Sequence, residues 1–336
     1  ALTNPTSPAR RGAASSSRLA AVLTTRSSNM LKALAALLKA QGRTLRDPAQ
    51  RKGLHPLVLP LADAPSGGVL GLIRWPASGS SLTVVEALPG SHSLVPLGTP
   101  SQYGRRAAAH ADAHGDSALP DLVSAAADLA RDAGDPVYEV GAFAASKLRF
   151  DQFLLLKVSP CFPDVWAGLA RTRLVAGDET AALIASERAA SHNAGWGCCM
   201  WEQACMYAEL KRHEEQRDCA LAALEAPFWT LGAPVAEVQA AAGLGHVPQL
   251  RALLRSMEAA ASAKQGEPPP SEAEQARLAA FDALDEVVRV QGDWDAVRPQ
   301  LAKALHTAGL TDSAVVAEGG GSLYPWPVGS QDSPES

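Results

Sequence analysis

The hydrophobic period of this chain changes once, near residue 100, and that change limits the fold more than any other feature. Before it, four short apolar runs are cut off by Gly and Pro: His55–Leu61, Val69–Trp75, Leu82–Leu88 and Ser93–Leu97. Short runs bounded by turn residues and recurring about every 12 residues predict an antiparallel meander, a small β-module of three or four strands over residues 54–100. Alone it would be marginal, so it is expected to pack on the helices behind it.

From Gln102 the apolar residues fall at helical spacing instead. Leu122, Ala125 and Leu129 form one stripe, and Val137, Val140 and Phe143 a second. Trp201, Ala204, Cys205 and Ala208 follow, then Val247, Leu250, Leu254 and Met257, then Leu278, Phe281, Leu284 and Val288, and last Val297, Leu301 and Leu305. Gln265–Pro270 breaks two of these helices apart, and Ser271 with Glu274 predicts a capping box for the next one. The spacing of Trp166 and Trp201 is close to the period of the tetratricopeptide (TPR) repeat, about 34 residues. Pro160, Trp166, Leu169 and Ala170 match that repeat's spacing in part, whereas Arg173 departs from it. The predicted fold is therefore mainly α: TPR-like stacked helix hairpins, an α-solenoid, over 101–315, behind a small N-terminal antiparallel β-module. Ala182, Ala185 and Ala189 suit the close helix contacts of such hairpins. A composition 47% hydrophobic but only 5% aromatic, with Ala prominent, fits packed helices better than a β-sandwich.

Charge divides the chain unequally. Residues 1–53 hold ten Lys and Arg against the single acid Asp47, whereas the remainder holds 20 bases and 34 acids. Residues 1–29 lack acids and are rich in Ser, Thr, Ala and Arg, the composition of an organelle transit peptide, so 1–53 reads as a transit-peptide-like, disordered basic segment. An acidic body weighs against nucleic acid as partner and against an RNA-binding repeat. No apolar run approaches the length a membrane-spanning helix requires, about 20 residues. The five cysteines Cys161, Cys198, Cys199, Cys205 and Cys219 lack framework spacing and read as reduced, mostly buried residues of a stroma or, alternatively, a mitochondrial matrix. Beyond Gly319–Gly321 the tail, 316–336, reads as disordered.

Chemistry-bearing motifs are thin. Cys198, Cys199, Cys205 and His213 do not have zinc-site spacing. No nucleophile elbow or phosphate loop is present, and Gly319–Ser322 lacks the lysine of one. His92, His110 and His114 read as loop or helix-face residues, and Glu214, Glu215, Asp293 and Asp295 as helix-start acids. The reading is a non-enzyme with no catalytic, cofactor or metal residues. Phe228 and Trp229 in a helix-ending turn, with Trp294 in a Gly-Asp-Trp-Asp turn, are the candidate protein-binding residues. For the first two, stapling one hairpin to the next is the competing role.

Several short motifs stand in order: His55–Ala62, Leu72–Pro76, Val84–Glu86, Gln102-Tyr103 with Arg106, Gly177-Asp178, Arg217-Asp218, Ala223-Leu224, Phe228–Gly232, Gly292–Asp295 and Ala308–Leu310. Together they resemble a family of chloroplast ATPase-biogenesis proteins of green algae and plants. The resemblance implies a stromal assembly or chaperone-like factor that helps build the F1 part of chloroplast ATP synthase, with the γ subunit or another F1 subunit as partner. It brings no catalytic residues and no cofactor. The alternative reading is a structural helical-repeat subunit of an organellar complex such as a ribosome, a translocon or a respiratory or photosynthetic assembly.

Overall fold

The computed structural model describes residues 28–74, 82–88, 91–245, 247, 250–265 and 270–319. The expected transit peptide falls almost wholly outside these residues, as does the tail from 320 with Tyr324 and Trp326. The chain is mainly helical with one small sheet.

The meander forms as expected. Strands β1 (Val58–Asp63), β2 (Val69–Arg74), β3 (Leu82–Ala87) and β4 (Leu94–Gly98) pair in that order, all antiparallel. Gly71 is required at the centre, because a Cβ there would stand 2.5 Å from Val58 Cγ1 and 2.9 Å from the Leu59 carbonyl. The outer edge of β1 is covered: Arg46 N–H donates to the Leu61 carbonyl and Asp63 N–H to the Thr44 carbonyl. The outer edge of β4 carries Pro96, which lacks the donor another strand would need.

The sheet is the middle layer of the molecule. Leu59, Leu61, Leu70, Leu72 and Val84 face one apolar cluster, and Val58, Ile73, Val85 and Leu94 face a second. Burial on both faces explains why β1 and β2 read as nearly continuous apolar runs rather than alternating ones. The first cluster is built with helix α1 (residues 28–40) and with α2 (Pro100–His114) and α3 (Leu119–Ala133). Thr99 caps α2 in a reciprocal box with Gln102. Helix α1 lies inside the basic segment expected to be disordered. Leu31, Leu34, Leu37 and Leu38 repeat at helical spacing and are fully buried, so burial of this stripe orders residues 28–53 while Lys32 and Lys39 stay outside.

One predicted helical stripe fails. Residues 135–141 are irregular, leaving Val137 and Val140 44% and 60% exposed, and only the short α4 (Ala142–Ser146) is helical there. Two ends already fixed by neighbours explain this: Gly134 closes α3 in the left-handed region, and Asp112 accepts from both Tyr138 O–H and Gly141 N–H. Helix α5 (Phe150–Phe153) then runs into a π-helical turn, Leu154–Val158.

Two helix hairpins follow. Helices α6 (Pro163–Val175) and α7 (Glu179–His192) form the first, and α8 (Gly197–Glu209) and α9 (His213–Glu225) the second. Their first helices start at Pro163 and Gly197 and their second at Glu179 and His213, so both starts recur at one and the same offset. That offset equals the TPR period of about 34 residues. The turns share a conformation: Gly177 and Lys211 both have positive φ, +78° and +61°. So do the N-caps, Phe162 (φ −115°, ψ 93°) and Trp196 (φ −103°, ψ 102°). The sequence period is real, but Trp166 and Trp201 are not its equivalent positions; Trp166 corresponds to Met200. The chain ends in α10 (Val235–Ala241), α11 (Leu250–Gln265), α12 (Glu272–Val290), α13 (Trp294–Thr307) and α14 (Thr311–Glu318). Ser271 caps α12 by accepting from the Glu274 N–H, which is one arm of the expected capping box. The helical region thus extends past 315.

A candidate protein-binding groove

The turn Phe228–Thr230 after α9 is a single 3-10 turn. Pro227 ends α9's direction, and Thr230 Oγ1 bonds back to the Pro227 carbonyl while accepting from Gly197 N–H at 3.0 Å. That geometry drives both rings inward. Phe228 and Trp229 are 1% exposed and Trp294 is 5% exposed, so none of the three candidate binding residues presents its ring to a partner in this structure. For the first two, such burial fits the stapling role.

His55 brings two of them together. Its ring lies 4.9 Å from Trp229 and 4.7 Å from Trp294, and Trp196 meets Trp229 edge-on at 5.6 Å. Its Nδ1 accepts from Leu57 N–H, and its Nε2 finds no partner among the described residues. Complete burial, with the Arg298 and Arg51 guanidiniums nearby, pushes its pKa down to about 3, so the ring is neutral. Arg51 donates to the carbonyls of Pro56, Val58 and Val316, and Arg298 to those of Arg51 and Leu54. These two arginines join the segment before β1 to the last two helices.

Phe228 belongs to a second buried network. Its N–H donates to Asp285 Oδ1 at 2.6 Å, and Arg251 Nη2 meets Asp285 Oδ2 at 2.6 Å. Arg251 also donates to the Leu224 and Ala226 carbonyls at the C-terminal end of α9, and lies 4.2 Å over the Phe228 ring. Burial raises the Asp285 carboxyl to about 6 against the pull of Arg251. One turn away, Arg255 forks onto both oxygens of Asp282. Helix α11 is thereby clipped to α12 by two Arg–Asp pairs, with Leu250 and Leu254 beneath them.

Between these elements opens a groove of about 530 Å³. Trp196, Met200, Leu278 and Phe281 supply apolar wall, Arg251 and Asp285 a neutralised floor, and Glu225 an exposed acid at the edge. Half-buried apolar side chains around a few fixed polar groups suit an apolar segment of a protein better than a small charged ligand. A smaller groove of about 220 Å³ lies where β4 meets α6 and α8, beside Cys198 and Glu202. All five cysteines are unpaired, and only Cys199 is buried; the rest are half-buried. His110 and His114 stack at 4.2 Å at the end of α2, and His92 bonds the Gly292 carbonyl. Asp293 caps α13. No group of three metal-ligating side chains occurs among the described residues, nor is any described helix long and apolar enough to cross a membrane.

Sequence reasoning missed His55, Arg51, Arg251, Asp285 and Arg298. Asp282 and Asp285 on the inner side of an otherwise apolar helical stripe were the available signal.

Comparison with known proteins places this architecture. The family model described as PAB N-terminal matches residues 15–157, and that described as PAB middle domain matches 163–248. The chain carries both PAB domains. The first spans α1, the sheet and helices through the π turn; the second spans both hairpins and the Phe228 turn. The chain is 29% identical over 281 residues to "Protein IN CHLOROPLAST ATPASE BIOGENESIS, chloroplastic" of Arabidopsis thaliana, covering 82% of this chain and 81% of that protein. The family resemblance read from the motifs therefore stands. No solved structure matches.

Proposed function

We propose that this protein is a non-catalytic assembly factor of the chloroplast stroma, one that holds a subunit of the ATP synthase F1 part before it is joined. The observation that carries this reading is the likeness to a protein named for chloroplast ATPase biogenesis along four-fifths of both chains. The γ subunit is the first candidate client, another F1 subunit the second. The groove at Trp196, Met200, Leu278 and Phe281 is the proposed seat, TPR-like in being built on hairpin ends. A subunit awaiting assembly exposes apolar surface that aggregates, and a half-apolar groove can cover such surface reversibly. Phe228, Trp229 and Trp294 contribute by fixing the walls rather than by touching the client.

Tagged protein purified from chloroplasts and analysed by quantitative mass spectrometry tests this. Substoichiometric F1 subunits without the complete enzyme are expected, and Leu278→Glu should deplete them while leaving the thermal melt within a few degrees of the parent. Equimolar recovery with another whole complex would sink the assembly reading.

A further inference from the structure

The constant offset between the hairpins lets one report on the other. On α8 the residues Cys199, Gln203, Met206 and Tyr207 lie on one side, spaced i, i+4, i+7 and i+8, and all are buried. Helix α7 packs against that helix, and Cys199 and Met206 share an apolar cluster with Ala182, Ala185 and Ala189 of α7. The corresponding residues of α6 are Val165, Leu169, Thr172 and Arg173. There Val165, Leu169 and Arg173 are only half-buried and Thr172 is exposed.

The element that precedes α6 explains the difference. Helix α7 runs for almost four turns, from Glu179 to His192, whereas Phe150–Phe153 with the Leu154–Val158 turn is much shorter before Pro160 turns the chain. This short stretch packs on α6, and its Leu154, Leu155 and Val158 are buried in the cluster against which Val165 and Leu169 are partly packed. The two most exposed large apolar side chains among the described residues belong to these same two elements: Leu156 on the π turn, 65% exposed, and Val175 at the end of α6, 83% exposed. End repeats of a stacked array ordinarily present a polar outer side.

Charge indicates what fits. Tyr207 is the counterpart of Arg173; burial raises its phenol pKa most, and Cys219, Arg212 and then Glu187 of α7 act on it more weakly, so an acid of α7 stands on the side of this position. Arg173 has no ion pair among the described residues. An incoming helix placed as α7 is placed on α8 would bring an acid to an unpaired guanidinium.

We propose that the outer face of α6, at Leu169, Thr172 and Arg173, receives an amphipathic helix of a protein partner that sets a carboxylate against Arg173. This surface is separate from the groove near Met200 and does not depend on the client proposed for it.

The probe is a fluorescent peptide of the α7 sequence, Glu179–His192, held helical by a side-chain bridge and titrated into the full chain. Saturable binding is expected. Arg173→Glu should weaken it about tenfold, and a peptide carrying Glu187→Arg should recover most of that loss on the Arg173→Glu chain, as expected for a complementary pair. Leu169→Glu should abolish binding; if it also lowers the melt, the charge swap alone decides. No binding to the parent chain, binding indifferent to both substitutions, or a failed charge swap would overturn the proposal. So would concentration-dependent dimerisation removed by Leu169→Glu, which would assign the face to a second copy of this chain.

Discussion

The two hairpins share a frame and lead to different ends. The first, α6–α7, closes through Gly177 and hands the chain on through Asn193–Gly195 to an identical start. The second, α8–α9, closes through Lys211 and hands the chain to Pro227 and the two buried rings. Ion pairs follow the same division. Arg171 of the first hairpin reaches Glu209 of the second between two side chains that are each about half exposed, 48% and 50%. Beyond the second hairpin, Arg251 and Asp285 are 12% and 3% exposed and satisfy a helix end and a backbone N–H as well. An element of fixed local geometry thus acquires its role from what it meets, here the next hairpin in one case and a second core in the other.

The largest test of that contrast is truncation at the second hairpin's exit. Trp229→Ala should cost about 3–5 kcal/mol by the size of the cavity left, read by urea unfolding. Ile184→Ala on the first hairpin, 46% exposed, should cost less than about 1 kcal/mol. Comparable losses would mean that the two hairpins are equally embedded.

Removing single charges should separate them nearly as well. Asp285→Ala strands Arg251 and leaves Phe228 N–H unpaired, so a loss of about 3–5 kcal/mol is expected. Arg171→Ala should change stability by no more than about 1 kcal/mol, because its pair is solvated. A double-mutant cycle of Arg251 and Asp285 would measure the coupling directly.

Acidification should act on the second core in two opposed directions. An unfolded chain protonates His55 near pH 6.5, whereas the fold resists until about 3, so stability is lost as pH falls below 6.5. At pH 5 this amounts to about 2 kcal/mol. Asp285, raised to about 6, takes up its proton earlier in the fold than in the unfolded chain and adds stability as pH falls from 6 towards 4. His55→Asn, whose amide oxygen can still accept from Leu57 N–H, should therefore be less acid-sensitive than the parent, and Asp285→Asn more so. Unfolding midpoints at pH 7.5 and 5 check both, and equal shifts in the two variants would refute the assignment.

The smallest effect concerns the shared turn. Lys211→Gly should stabilise by up to about 1 kcal/mol, and Gly177→Ala should destabilise by a similar amount, since only glycine adopts the left-handed region without cost. A melt that moves the wrong way in either variant would break the equivalence of the two turns.

Much of this was legible in the residues. The meander was marked by Gly and Pro, which end strands for backbone reasons alone. Helices α8, α12 and α13 were marked by stripes of apolar residues at the helical period, and Ser271 announced its cap. The hairpin period was visible but one residue off, because the two tryptophans that suggested it occupy different positions in the two units. Helix α1 was obscured by its charges: the averaged composition of segment 1–53 hid four leucines on one side.

Element type outside residues 28–53 and 135–141, turn conformation and the imbalance of charge between segment 1–53 and the rest are local properties, set by the residues in order. They follow from dihedral preferences and side-chain period, which act over a few positions at a time. Three-dimensional packing alone put the sheet between two helical cores and set His55 between Trp229 and Trp294, both far along the chain from it. It also brought Arg251 and Asp285, on different helices, together above Phe228. Burial and pairing depend on neighbours distant in sequence, and a pattern of types in one segment does not carry the identity of those neighbours.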